Sequence, residues 1–430
     1  MYSLQYKRVF LSLLFLSFTL TIVSLAADGD SDPLFPGGIS YDDFVRDIAV
    51  QPDGKLIVVG DFENVVGIPF RRIVRLNLNG NVDPTFNPGT GAAGDVRVVK
   101  LQPDGKVLLG GDLLGFNGMV LGHFVRLNAD GSLDTAFNLN TGTGANFASS
   151  VNAIEIQPDG KILIGGSFVT FNGTAARGIV RLNSDGTRDN TFVTQASPGS
   201  AAINAIACQP DGKILIGGAF TTWDNVGRNR IARLNTDSSL DLSFAVGNGA
   251  GTGTTVNSLW LLPDGKVWIA GNFTQYSSNS AFGIVRANSD GSFDSTPATV
   301  SGTTVNDIAV QSDGKLVLGG SFPNSPANLS VKRFDIKGAV DAGFTSTETS
   351  TVNAVSILSD NEIVIGGVYS QSTSVGGASP TGVLKLNTDG SRDNSYITRN
   401  GATSDGGLFD KITAGRKICD HRRRRFYRRA

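Results

Sequence analysis

The sequence predicts an all-β fold, a β-propeller of four-stranded antiparallel blades, on three observations. One motif recurs about every fifty residues. Each copy parses into four short strands joined by tight turns. No stretch after residue 30 carries a helical period. The composition agrees: among 430 residues there are 54 Gly, and only 17% are charged, against roughly 25% in an average soluble domain. Glycine-rich, charge-poor chains with abundant Val, Ile, Thr and Asn form short strands and many turns.

The clearest copy runs from Val151 to Phe192. Its first strand, Val151-Asn-Ala-Ile-Glu-Ile156, starts with apolar residues at alternate positions. Gln-Pro-Asp-Gly follows as a turn, because Pro presets one φ and Gly accepts a positive one. The second strand, Lys161-Ile-Leu-Ile-Gly-Gly166, is continuously apolar and therefore buried on both faces. After a loop of about ten residues comes the third strand, Ile179-Val-Arg-Leu-Asn183. Asn-x-Asp-Gly makes the next hairpin turn. The fourth strand is short and ends in the aromatic of Asp189-Asn-Thr-Phe192.

Two marks hold one phase along the chain. The Asp of the first turn falls at Asp53, Asp104, Asp159, Asp211, Asp264, Asp313 and, in degenerate form, Asp360. Asp followed three residues later by an aromatic falls at Asp32, Asp83, Asp134, Asp189, Asp241, Asp341 and Asp393; at Asp294, Pro297 replaces the aromatic. Four strands in about fifty residues is the arithmetic of a propeller blade. A blade alone cannot cover both faces, so stacking on its neighbours does. Seven blades are expected, with eight or a longer array if the C-terminus is truncated. An open solenoid is the alternative, but it needs atypical caps, and the first copy, from Asp32, looks ordinary.

In combination, Gln-Pro-Asp-Gly-Lys, Ile-Gly-Gly-x-Phe, Arg-Leu-Asn-x-Asp-Gly and Asp-x-x-Phe resemble the delta-60 repeat family of bacterial proteins over about residues 32 to 414. The blade plan is similar to NHL-type propellers, with the first strand at the central channel. The resemblance implies a propeller in an exported or surface location. It implies no reaction and carries no functional residues.

The two ends read differently. Lys7 and Arg8 precede an apolar run from Val9 to Val23, and Ser24-Leu25-Ala26 offers a small-x-small cleavage site. Residues 1–26 therefore read as a secretory signal peptide, with no membrane span after cleavage and a short linker over 27–31. The propeller occupies 32–414. Residues 409–414 begin an eighth first strand, but an Arg-rich tail over 415–430 stands where its turn belongs. Read one nucleotide later, the tail permits Asp-Gly-Lys-Phe-Val-Ile-Thr-Gly-Gly-Gly-Asp-Phe-Thr, close to the missing turn and second strand. Out-of-frame translation is the expectation, and the gene sequence tests it. Without the tail, at net +7, and the signal's two cations, the chain's −1 becomes −10 for the repeats. An acidic propeller is not expected to bind nucleic acid.

Catalytic constellations are sparse. His123 is the one histidine before the tail, and a lone His makes no multi-His metal site. Cys208 occupies a strand position held by Val50, Leu101 and Ile156 in other copies, so it reads as a small hydrophobe. No nucleophile elbow, Walker loop or dinucleotide fingerprint is present. Asn128, Asp130 and Asp134, repeated as Asn183, Asp185 and Asp189, offer oxygens at alternate positions for calcium. They lack the final bidentate acid, and a hairpin turn explains the same residues.

The loop after the second strand varies between copies and carries Trp223 and Tyr276, aromatics placed to anchor a ligand. The expectation is a non-catalytic secreted or cell-surface binding or scaffolding module, without cofactor, that meets a protein or carbohydrate at the blade loops. The alternatives are a channel-site hydrolase or lyase and a purely architectural repeat of a larger surface protein.

Overall fold

The computed structural model describes residues 39–40, 43–65, 68–146, 149–193, 202–251, 255–296, 304–322, 329–370, 380–393 and 395. The segments read from the sequence as a signal peptide (1–26), a linker (27–31), the start of an eighth copy (409–414) and an Arg-rich tail (415–430) lie outside them.

Each repeat forms a blade. In blade 1 the antiparallel strands are Val45–Val50, Leu56–Gly60 and Ile73–Leu76. The fourth segment is reduced to one bridge, Leu76 to Val82, and the same single bridge recurs in every blade. The two turns fold alike. Around Gly160, at φ +82°, Gln157 N–H donates to Lys161 O at 2.8 Å and Lys161 N–H donates to Asp159 Oδ1 at 3.1 Å. Around Gly186, at φ +92°, Asn183 N–H donates to Thr187 O at 2.8 Å and Thr187 N–H donates to Asp185 Oδ1 at 2.9 Å. Aspartate side chains thus close both turns, which is the physical reason for Asp at these sites.

Every first strand has a β-bulge between its first and third residues, as at Val151/Ala153 and Val352/Ala354. The bulge leaves the second residue unpaired and re-aims its side chain. The second strand is buried throughout in blades 1 to 5, as are Leu316–Gly320 of blade 6 and Ile363–Gly367 of blade 7. Its two terminal residues explain their glycines. A Cβ on Gly166 would stand 1.9 Å from Ser150 O of its own blade, and one on Gly165 would stand 2.8 Å from Ile203 of the next.

The core lies between blades. Among the described residues seven apolar clusters each join adjacent blades, for example Leu108 and Phe124 of blade 2 with Val151 and Ile164 of blade 3. The cluster that joins Val45 and Ile48 of blade 1 to Ala354 and Val364 of blade 7 closes the ring. Asn353 Nδ2 donates to Val45 O at 2.9 Å and Ser356 Oγ donates to Ile48 O at 2.8 Å across this seam. The short strand Ile39–Ser40 adds to the outer edge of Pro380–Leu386, so N-terminal residues complete the last blade.

One feature departs from the sequence pattern. Thr135–Asn140 forms a six-residue helix capped by Asp134, whose Oδ1 accepts from Phe137 N–H at 3.3 Å. Six residues are too few to show a helical period, so only the cap marks it.

Candidate functional site

The charged residues that recur in every copy are gathered into one clasp per blade. In blade 3, Asp189 Oδ2 meets Lys161 Nζ and Arg181 Nε, each at 2.8 Å. Its Oδ1 accepts from Thr191 N–H and Oγ1–H. Arg181 reaches on to Thr236 O of blade 4 at 2.8 Å and lies over Phe192, 4.7 Å from its ring centroid. The same clasp joins Lys55, Arg75 and Asp83; Lys106, Arg126 and Asp134; Lys213, Arg233 and Asp241; Lys266, Arg286 and Asp294; and Lys315, Arg333 and Asp341. Blade 7 exchanges the parts: Lys385 takes the arginine position and bridges Glu362 and Asp393. Burial alone would raise the carboxyls of Asp83, Asp189, Asp241 and Asp294. Hydrogen bonds from the lysine ammonium and the neighbouring hydroxyl and amide overrule it and hold them far below the ordinary value.

Two expectations from the sequence meet this geometry. Among the calcium candidates, Asp134 and Asp189 are turned into clasps. Asp130 and Asp185 accept from the amide and hydroxyl of Ser132 and Thr187. The amides of Asn128 and Asn183 donate to those same hydroxyls at 2.9 Å. In each copy the turn engages the first Asp and the clasp engages the second. The loop aromatics are corrected outright. Trp223 packs edge-on against Phe220, Tyr276 is fully buried with its hydroxyl donating to Gly291 O at 2.7 Å, and neither offers a face to a ligand. The loops that carry them fold into hairpins, Thr222–Trp223 with Val226–Gly227 and Gln275–Tyr276 with Asn279–Ser280, which tuck the aromatic between blades.

What remains open to solvent at the centre is a channel of about 570 Å³ lined by the seven first strands. The bulged second residue faces it in each blade. Asn257, Asn306 and Asn353 each donate Nδ2–H to the first-residue carbonyl of the next blade, at 3.0, 2.8 and 2.9 Å. In blades 1 and 2 the position holds Arg46 and Arg97, paired with Asp61 and Asp112.

Two carboxylates stand at the third position. Asp47 accepts from Ile48 N–H and, across the blade boundary, Val99 N–H, both at 2.8 Å. Asp307 accepts from Ile308 and Val355 amides at 2.8 and 2.9 Å and from Ser258 Oγ at 3.1 Å. Burial raises both carboxyls. That of Asp47 is pushed up to about 7, with the two amides opposing and the like charge of Asp307 adding to the rise. At the fifth position, nearer the Gln-Pro-Asp-Gly turns, Lys100 pairs with Glu155 at 2.6 Å, and Trp260 is 37% exposed.

His123 is buried, with its imidazole pushed down by that burial. Cys208 packs beside Ile206 and Leu234, and burial, reinforced by Glu155, pushes its thiol up to about 12. Among the described residues no three His, Cys, Asp or Glu side chains converge on a metal position. No helix among them is long and apolar enough to cross a membrane. Sequence reasoning missed the clasp and the channel carboxylates. The clasp had a signal: Lys, Arg and Asp recur in phase, with Asp 28 residues after Lys and 8 after Arg. Asp47 and Asp307 had none, because the position they share is apolar or small in the other five blades.

Fold and site together define a closed seven-bladed propeller with a polar central channel. The chain belongs to the beta-propeller family described as a domain of unknown function, DUF5122, whose pattern matches residues 51–86, 102–137, 157–192, 209–244, 262–296, 311–344 and 358–396. No curated protein matches the sequence. Among solved structures, virginiamycin B lyase from Staphylococcus aureus is similar at 12% identity over 76% of this chain and 93% of that one, with a TM-score of 0.47. The gluconolactonase XC5397 from Xanthomonas campestris is similar at 15% identity over 78% and 88%, with a TM-score of 0.37. PorZ, a surface component of the type-IX secretion system of Porphyromonas gingivalis, is similar at 15% over 81% and 47%, with a TM-score of 0.40. Identities this low speak to the fold alone.

Proposed function

We propose that this chain is a non-catalytic, exported propeller that acts as a binding or scaffolding module. One observation carries the reading: two of the channel's carboxylates, Asp47 and Asp307, each hold two backbone amides and so serve the joints between blades, and the third, Glu155, is paired with Lys100. A general acid or base needs a proton-transfer atom within reach of a substrate, and these oxygens are already engaged. The recurring Asp, Lys and Arg residues are likewise engaged in clasps. The signal-like N-terminus and the motif likeness to delta-60 repeat proteins support an exported location. The acidic repeats favour a protein or carbohydrate partner over nucleic acid.

The rival reading, a channel hydrolase or lyase, is tested by turnover. The purified protein is incubated with a panel of lactones, esters and cyclic depsipeptides beside an Asp47→Asn/Asp307→Asn variant. Equal background rates are expected. Turnover by the parent that the variant abolishes would overturn the non-catalytic reading. Export is tested by fusing residues 1–27 to a reporter that is active only outside the cytoplasm.

A further inference from the structure

We infer that the turn-side mouth of the channel binds a neutral saccharide ring, stacked on Trp260 and hydrogen-bonded by the Lys100–Glu155 pair. The inference rests on the binding-module reading and names the ligand class and the site.

The fifth residue of the first strand is where the blades differ most in chemistry. Ala49, Ala207, Ala309 and Ser356 hold the position with small side chains, whereas blades 2 and 3 place Lys100 and Glu155 there, and blade 5 places Trp260, all three lining the channel. The chain has three tryptophans. Trp223 and Trp268 are 5% and 6% exposed, and Trp260 is 37% exposed and lines the channel. No joint between blades calls for an indole here, because small residues serve the same position in four other blades. Blade 5 lies three blades from blade 2, as far as a seven-membered ring allows. The indole and the ion pair, set on different blades, line the same cavity.

Three properties select the ligand. The indole offers a flat apolar face with a polar edge, which suits the C–H face of a sugar ring. Lys100 Nζ and Glu155 Oε2 stand 2.6 Å apart. They present a donor and an acceptor side by side, as vicinal hydroxyls require. The pair is neutral as a unit, so the mouth favours neither an anion nor a cation. The cavity, at about 570 Å³, falls within the roughly 300–1,000 Å³ of small-molecule sites.

The test uses the intact protein and a panel of methyl glucoside, methyl galactoside, N-acetylglucosamine, maltose and cellobiose, with glucuronate as the anionic control. Calorimetry reads affinity, acrylamide quenching of tryptophan emission reads occupancy of the channel, and NMR reads the fate of the sugar. At least one neutral sugar is expected to bind saturably, to halve the quenching constant or better, and to be recovered unchanged. Trp260→Ala is expected to weaken binding at least tenfold, and Glu155→Gln, which keeps the side-chain volume, severalfold. Binding equal in Trp260→Ala and parent, tighter binding of glucuronate, or no protection by any sugar would overturn the inference while leaving the module reading in place. Conversion of a bound sugar would instead overturn the non-catalytic reading and keep the site.

Discussion

Blade 5 shows what each residue of the clasp contributes. Its Asp-x-x-aromatic segment ends in Pro297, and Arg286 lies instead over Trp268, 5.3 Å from the ring centroid, where other blades carry an aliphatic residue. The guanidinium is covered by an aromatic face in both arrangements, as a partly desolvated cation prefers. The clasp sets one buried carboxylate between a buried guanidinium and a half-buried ammonium, so removing the carboxylate leaves the buried Arg181 without its counter-ion. Asp189→Ala is therefore expected to cost about 3–5 kcal/mol, read by chemical denaturation, although it touches no site.

The pH dependence divides by sign. The clasp carboxyls sit below their ordinary values, so their stabilisation is present above about pH 4 and is lost as pH falls through the folded values. Asp47 works in the opposite sense. Its folded value of about 7 exceeds the ordinary 3.8, so the folded state holds the extra proton and stability declines as pH rises from about 4 to about 7. Asp47→Asn is expected to flatten the stability profile in that window and to leave the acid limb unchanged.

At the scale of the element, the turns and the Gly-Gly ends were legible because their causes are local. A positive φ at Gly160 or Gly186 and an Asp that bonds the amide two residues on are written in four consecutive letters. Gly166→Ala would drive a methyl into Ser150 O. It is expected to destabilise by several kcal/mol or to prevent soluble expression, whereas Gly173→Ala, with open space around its Cβ position, is expected to cost far less despite its φ of +70°. The loops were less legible. Trp223 and Tyr276 fall in segments of variable sequence, which reads as surface, yet each sits in a two-residue hairpin whose fold turns the aromatic inward. Variation in sequence there reflects different plugs for the same gap, as Phe116 and Phe171 show in blades 2 and 3. If the Asn-x-Asp-Gly loops are turns only, a chelator leaves the melting temperature unchanged; a drop of several degrees, restored by calcium, would revive the metal reading.

At the scale of the whole molecule, periodicity disclosed the architecture and the blade count, because stacking of equal units is a property of the repeat. It did not disclose the candidate site. The channel is made where seven strands from distant parts of the chain meet, and its distinguishing residues, Trp260, Lys100 and Glu155, each break the repeat once. Ring closure joins residues 308 apart in sequence, and no local pattern encodes that distance. It makes the joint between blades 7 and 1 an interface like any other, and this has a direct consequence. Asn306 stitches blade 6 to blade 7, and Asn353 stitches blade 7 to blade 1, by the same bond. Denaturant unfolding of Asn306→Ala and Asn353→Ala, side by side, reads the seam against an interior joint. A closed ring requires similar losses, about 1 kcal/mol each. If Asn353→Ala is silent while Asn306→Ala is not, the seven blades form an open array.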